Sequence, residues 1–319
     1  MSGNPSNSVE IEQPIQLNLL AINDSAVRDT PKAQPAESFP RKDRREPLLK
    51  IRPQRGWAAL NLGDVWHFHE LLVALALRDV KLRYKQTALG VIWVVLQPLL
   101  AAGIFSFVFG TVAGLKSGQA TPYFVFSYAG LLGWNLFSNT LTRCSTCLLG
   151  NSQLISKVFF PRLVLPLSTV PSSLIDFGVA LAMFVVLLWM HHIVPHGRVL
   201  LFPAWLLLLM VLSSGIGLWV AALSVTYRDV QHVLPVFLQL LLYASPVAYP
   251  ISRIPARLMV AFHLNPMVSI IGGIRWSLLR DVDQPHWGFV AYAAVLSTSL
   301  LVSGAFAFKR MERKFADVI

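Results

Sequence analysis

The residues best equipped for chemistry in this chain are few and widely separated. Cys144 and Cys147 have C-x-x-C spacing, as in a redox pair or half of a zinc site. Two thiols alone complete neither a zinc site nor a disulfide framework, and these lie at the end of an apolar run, where two small side chains are the plainer reading. His191, His192 and His196 offer three imidazoles in HHIVPHGR; three can bind zinc, but nothing in their spacing fixes a geometry. Asp281 and Asp283 lie beside Arg280 and read as a solvated charge cluster. Asp176 stands alone in an apolar segment, where an ionisable group is costly and functional by default. The favoured alternative for it is structural: Pro161, Pro166 and Pro171 make the start of that segment irregular, and the carboxylate caps the freed backbone amides. The chain contains no G-x-x-x-x-G-K-[ST], no G-x-S-x-G and no H-E-x-x-H, so the phosphate cradle, the nucleophile elbow and the zinc helix are missing. The residues predict no catalytic group, no metal and no cofactor held by this chain.

Composition says where these residues sit. Of 319 residues only 13% are charged and 55% are hydrophobic, against about a quarter charged in a soluble domain. Between residues 86 and 308 the only carboxylates are Asp176, Asp229, Asp281 and Asp283. Such a stretch is solvated mainly by lipid, and the chain is read as an integral membrane protein. A net charge of +11 would also suit nucleic acid, but no nucleic-acid motif is present and the bases cluster beside apolar runs.

Residues 1–60 are rich in Pro, Asn, Ser and charge, ending in the basic run Arg41 to Arg45. This composition buries too little apolar surface to offset ordering, so a flexible cytoplasmic tail is expected. Residues 61–87 read as an amphipathic interface helix. At about 100° per residue, Arg78, Lys81 and Lys85 fall within roughly 60° of one another, beside an apolar stripe of Phe68, Leu71, Leu75 and Leu82. Such a helix suits anionic headgroups, although the first turn of a span is the bland alternative. Residues 88–308 form the membrane domain and 309–319 a cytoplasmic tail.

A span needs about 20 mostly apolar residues. The candidates are roughly 88–113, 123–142, 164–190, 199–225, 231–250 and 287–308, so the expected fold is all-α with six transmembrane helices. The tail, the interface helix, the 143–162 loop, Arg228 and the C-terminal KRMERK run hold 21 of 27 Lys and Arg, which orients the chain N-in and C-in. Between spans five and six, NPMVSIIGGIRWSLL is too short to cross and too apolar for an exposed loop. Short re-entrant helices are expected there, since irregular backbone at that depth must be buried in protein or line a cavity.

Three blocks carry a family resemblance. The run Arg78-Asp79-Val80-Lys81-Leu82-Arg83-Tyr84-Lys85-Gln86-Thr87-Ala88-Leu89-Gly90-Val91-Ile92-Trp93-Val94-Val95-Leu96-Gln97-Pro98 is the first. The second is Asn151-Ser152-Gln153-Leu154-Ile155-Ser156-Lys157-Val158-Phe159-Phe160-Pro161-Arg162, followed by Pro166-Leu167. The third is Tyr227-Arg228-Asp229-Val230, then Ala244-Ser245-Pro246-Val247, Tyr249-Pro250 and Leu264-Asn265-Pro266-Met267. In this order over residues 70–285 they resemble the ABC transporter type-2 permeases that export polysaccharides and polyol phosphates. Only the long N-terminal tail departs from the pattern.

The resemblance implies an inner-membrane half-transporter that works as a homodimer. Two copies of a separate nucleotide-binding ATPase would bind ATP and Mg. The cargo would be a polyprenyl-diphosphate-linked glycan, such as an O-antigen, capsule or teichoic acid precursor. The missing phosphate loop agrees with an outside energy source.

Within that picture a short polar helix in the 143–162 loop, ending at Pro161, which cannot continue it, is the expected contact with the ATPase. Its residues are Asn151, Gln153, Leu154, Lys157, Phe159, Phe160 and Arg162; Arg228 and Asp229 form a second contact or only a local ion pair. Arg78, Lys81, Arg83 and Lys85 either receive the lipid diphosphate or merely anchor the chain at the headgroups. Leu89-Gly90 is the turn into the first span, Gly permitting backbone conformations that Ala resists. Aromatic faces and amides suit a sliding glycan. Trp93, Gln97, Phe105, Tyr128, Trp134, Asn135, Asn139, Gln239 and Tyr243 are the candidates, with interface belts or lipid contact as the competing reading. Other functions to weigh are a type-2 permease for a small lipid or drug, an ATP-independent channel or carrier, and a scaffold. The basic helix argues against the first and the shortage of carboxylates for proton coupling against the second. Polar residues within the spans argue against the third.

Overall fold

The computed structural model describes residues 66–85, 90–116 and 121–318. The tail, the basic run and the Leu89 side of the expected turn lie outside the described residues. Among those described, all regular structure is helical. In chain order the helices are α1 (His69–Lys85), α2 (Gly90–Phe105), α3 (Tyr123–Gly150), α4 (Ser152–Lys157), α5 (Val164–Met190), α6 (Phe202–Thr226), α7 (Val230–Ala244), α8 (Met259–His263), α9 (Pro266–Leu278) and α10 (Trp287–Val318). The helix α2 continues as a π-helix over Ser106–Val112.

Four helical stretches are long and apolar enough to cross a membrane: Ile92–Val112, Val164–Met190, Gly197–Thr226 and Trp287–Glu312. These match the first, third, fourth and sixth expected spans. A helix pair, Ala256–His263 with Pro266–Leu278, bends by 101° where short re-entrant helices are expected. The bend follows from local chemistry. Asn265 caps α9, its side-chain oxygen accepting from the Met267 N–H at 3.0 Å, and Pro266 occupies the first helical position, where a missing N–H costs nothing.

The second and fifth expected spans differ from the reading. The helix α3 covers the expected 123–142 and runs on to 28 residues, but Ser127, Asn135, Ser138, Asn139, Thr140 and Arg143 leave it less apolar than the four stretches above. It packs against α2, α5, α6, α7 and α9. The helix α7 is only 15 residues long and stops at Ala244, not 250. Ser245 is extended (φ −102°, ψ 145°), as expected for a residue before proline.

The segment after Pro161 is more regular than its prolines suggest. Pro166 lies in the first turn of α5, where its missing N–H is harmless, and the helix continues through Pro171 to Met190. The helix α1 packs along α5 with Leu75 and Ala76 buried, while Leu82 of the expected apolar stripe is 54% exposed.

The core has two parts. The larger is built mainly from α3, α5, α6 and α9. The smaller gathers Leu75, Cys144, Cys147, Phe160, Leu163, Leu218, Val225 and Phe308. Both cysteines are free thiols within it, and Cys144 Sγ lies 3.1 Å from Thr169 Oγ1. Close helix contact needs glycine at two points. A Cβ at Gly215 of α6 would lie 2.6 Å from the Leu301 amide nitrogen of α10, and one at Gly304 would lie 2.5 Å from the Gly215 oxygen.

Candidate functional site

The most concentrated polar site lies where α1, α3 and α5 meet. Asp176 of α5 is 5% exposed. One of its oxygens accepts from Arg83 of α1 and Arg143 of α3, and the other accepts from the Tyr84 hydroxyl at 2.6 Å. Arg143 also donates to Ser172 Oγ and Ser173 Oγ, each at 3.1 Å. The expected capping of backbone amides by Asp176 is therefore corrected: its partners are side chains from two other helices. A carboxylate taken from water needs such partners, and α5 has no cation of its own to offer. Burial pushes the Tyr84 hydroxyl up to about 12, and the hydrogen bond to Asp176 pushes the same way, so Tyr84 stays a donor at neutral pH.

This site sorts the basic residues of α1. Arg78, Lys81 and Lys85 are exposed. Arg78 donates to Asp79 at 3.1 Å and to Asn151 Oδ1 at 2.6 Å. Arg83 differs from them in that its side chain turns inward to Asp176 of α5.

Asn151 is itself a joint. Its amide nitrogen donates to the Cys147 carbonyl at 2.8 Å, so Arg78 ties α1 to the α3–α4 corner. Along the loop Gln153, Lys157 and Phe159 are exposed, Phe159 at 82%. Leu154 is half-buried against the smaller core. Phe160 is only 6% exposed and packs into the smaller core, where it anchors the loop. Arg162 is likewise engaged, its Nη1 donating to the Glu312 carbonyl of α10 at 2.9 Å and its N–H to the Glu312 side chain at 3.3 Å. Val158, at 49% exposed, and Tyr227, at 62%, are surface residues that the sequence reading passed over. Arg228 and Asp229 are exposed, and no ion pair joins them among the described residues. Next to them a cavity of about 340 Å³ is lined by Tyr227, Asp229, Val233, Leu234 and Phe237.

The glycan candidates divide the same way. Tyr128 is fully buried, stacked on Phe184 at 5.9 Å with its hydroxyl on the Ala180 carbonyl at 3.1 Å. Trp134 is 5% exposed and packs on Phe137. Neither reaches a surface of the protomer, because α3 has helices around it. Phe105 is half-buried, edge-on to Phe109 at 5.9 Å, and Asn135 is half-buried too. Trp93 with Gln97 on α2, and Gln239 with Tyr243 on α7, are exposed pairs four residues apart, as is Asn139 singly on α3. Residues at that spacing share a helix face.

Residues 70–279 match the family described as ABC-2 type transporter. The O-antigen export system permease protein RfbA of Myxococcus xanthus is 32% identical over 260 residues, covering 80% of this chain and 98% of that protein. A Klebsiella pneumoniae protein of the same name is 28% identical over 260 residues, covering 81% and 97%. The polysialic acid transport protein KpsM of Escherichia coli is 27% identical over 224 residues, covering 67% and 81%. With four membrane-length helices and the family match spanning α1 to the end of α9, this chain belongs to the ABC-2 type transporter family.

Proposed function

We propose that the chain is the multi-pass inner-membrane permease subunit of an ATP-driven polysaccharide exporter. It acts as a homodimer with two copies of a separate ATPase subunit that binds ATP and Mg, and its cargo is a polyprenyl-diphosphate-linked glycan. The observation that carries this is the alignment with nearly the whole of an O-antigen export permease, 98% of its length at 32% identity. The test is a strain lacking the gene. Loss of surface polysaccharide with lipid-linked glycan accumulating inside supports export; an unchanged surface with no accumulation, in a strain without a second exporter, removes it.

In this reading α2, α3, α5, α6, α7 and α10 are six spans, N-in and C-in, with α1 at the cytoplasmic interface and α8–α9 re-entrant from outside. The enclosed position of α3 supports its membrane role, since Ser127, Thr140 and Ser145 are buried in protein. The outer limit on α7 is its length, so it needs the Ser245–Pro250 turn to complete its passage.

Coupling falls on the exposed part of the loop. Phe159→Ala with Lys157→Glu is expected to cut export roughly tenfold, as loss of an interface anchor does, while ATP hydrolysis persists and the melting temperature holds. Phe160→Ala should instead destabilise the protein by about 3 kcal/mol, the cost of emptying a core site. Equal melting of the two variants would remove this division.

The basic edge is Lys81, Lys85 and the outer part of Arg78. Each exposed cation contributes about 1 kcal/mol toward an anionic headgroup, enough to gather a diphosphate and still release it. Asp176 supports this edge by holding Arg83 and so fixing the roll of α1. Lys81→Glu with Lys85→Glu should lower export roughly tenfold at unchanged protein level. Full export would reduce the edge to an anchor.

A further inference from the structure

A second cavity lies between α8 and the start of α10, and none of the glycan candidates above lines it. It measures about 540 Å³, inside the ~300–1,000 Å³ range of small-molecule sites. Five of its lining residues are aromatic or imidazole: His263, His286, Trp287, Phe289 and Tyr292. No Lys, Arg, Asp or Glu lines it, so it offers an ionic ligand no permanently charged partner.

The rings are fixed before any ligand arrives. Trp287, 52% exposed, lies parallel to Trp205 at 6.4 Å and edge-on to Trp276 at 6.1 Å, which leaves an oriented indole with an open side. His263 is 4% exposed and stacks on Phe289 at 4.0 Å. Its Nδ1 lies 2.9 Å from the Met259 carbonyl oxygen. A carbonyl only accepts, so Nδ1 carries the hydrogen and Nε2 of the neutral ring is an acceptor. None of the hydrogen bonds among the described residues uses that nitrogen. That nitrogen opens into the cavity, where it can accept from a ligand hydroxyl. The His286 ring stands edge-on to His263 at 6.4 Å and offers a second polar edge.

Oriented aromatic faces with imidazole edges match the two sides of a pyranose, whose C–H face is apolar and whose rim is hydroxyl. We propose that this cavity binds a neutral sugar unit of the exported polymer at the outer face, Trp287 supplying the platform and His263 Nε2 accepting one hydroxyl. The inference rests on the polysaccharide-export reading. An acyl chain would also fill an apolar cavity, but it has no use for the acceptor.

The test uses the full chain in lipid nanodiscs, with the fluorescence difference between the wild type and Trp287→Phe as signal. The probe is surface polysaccharide of the source cells, freed of lipid by mild acid. A saturable change is expected, with affinity weakened about tenfold in His263→Phe, which keeps the ring stack and removes the acceptor. No response to polysaccharide overturns the proposal. Quenching of the same signal by bromine-labelled acyl chains, with no saccharide response, overturns it in favour of a lipid site. The gene-deletion strain separates the two levels. If deletion leaves surface polymer intact, the export reading and this proposal fall together. If deletion abolishes export while the saccharide signal is absent, only the cavity assignment falls.

Discussion

Asp176→Ala is expected to melt about 10 °C below the wild type and to reach the membrane at reduced level. The carboxylate is the shared partner of Arg83 and Arg143, so its removal leaves two guanidinium groups facing each other at a part-buried site. Removing one partner of a buried pair costs about 3–5 kcal/mol, because the remaining charge is uncompensated. Asp176→Asn should fall between, keeping an acceptor but no charge. Adding Arg143→Met to Asp176→Ala should recover part of the loss, since the stranded cation leaves with its partner. Thermal melting followed by size-exclusion fluorescence in detergent reads all three. Wild-type melting of Asp176→Ala would show that the cluster holds nothing together.

A comparable loss is expected for Arg275→Leu. This residue of α9 is 2% exposed and has three carbonyl partners instead of a carboxylate. Its guanidinium donates to Phe126 at 3.1 Å, to Pro246 at 2.5 Å and to Val247, and it lies over the Phe126 ring at 3.8 Å. It thus pins α3, the turn after α7 and the bent helix pair to one another. Leucine leaves those carbonyls without their donor, and each unsatisfied group costs about 1–3 kcal/mol. Arg275→Lys should rescue only in part, because an ammonium lacks the planar fork. Gly130→Ala should imitate the loss from the other side, since its Cβ would collide with the Arg275 guanidinium. Export and melting temperature are the readouts, and unchanged melting of Arg275→Leu would remove the pin.

These two clusters mark the limit of what the sequence discloses. Long apolar runs announce α2, α5, α6 and α10, and blocks around Asn151 and Tyr227 announce the family. Asp176 draws notice as a lone carboxylate, but its partners lie 33 and 93 positions away, beyond any local pattern. Arg143 was legible as the only charge in α3 and went unremarked. The arc holding Arg78, Lys81 and Lys85 leaves Arg83 outside it, so its inward turn was readable from the same angles. Pro246 could likewise have shortened the fifth span. Phe159 and Phe160 show the opposite case. Adjacent and identical, they part only when the chain bends back over the smaller core. Tyr128 and Trp134 are aromatic whether they meet sugar or leucine, and only the helices around α3 decide.

The glycine contact between α6 and α10 also bears on how the protein is made. A chain enters the bilayer from its N-terminus, and helices associate after insertion. The helix α6 can pack on α3 and α5 as it arrives, but the bare backbone at Gly215 stays uncovered until α10 has been synthesised. The helix α10 closes this seam, and a product that stops within residues 227–286 would leave it open to the quality-control proteases of the membrane. Truncation before α10 is complete should therefore behave like truncation far upstream.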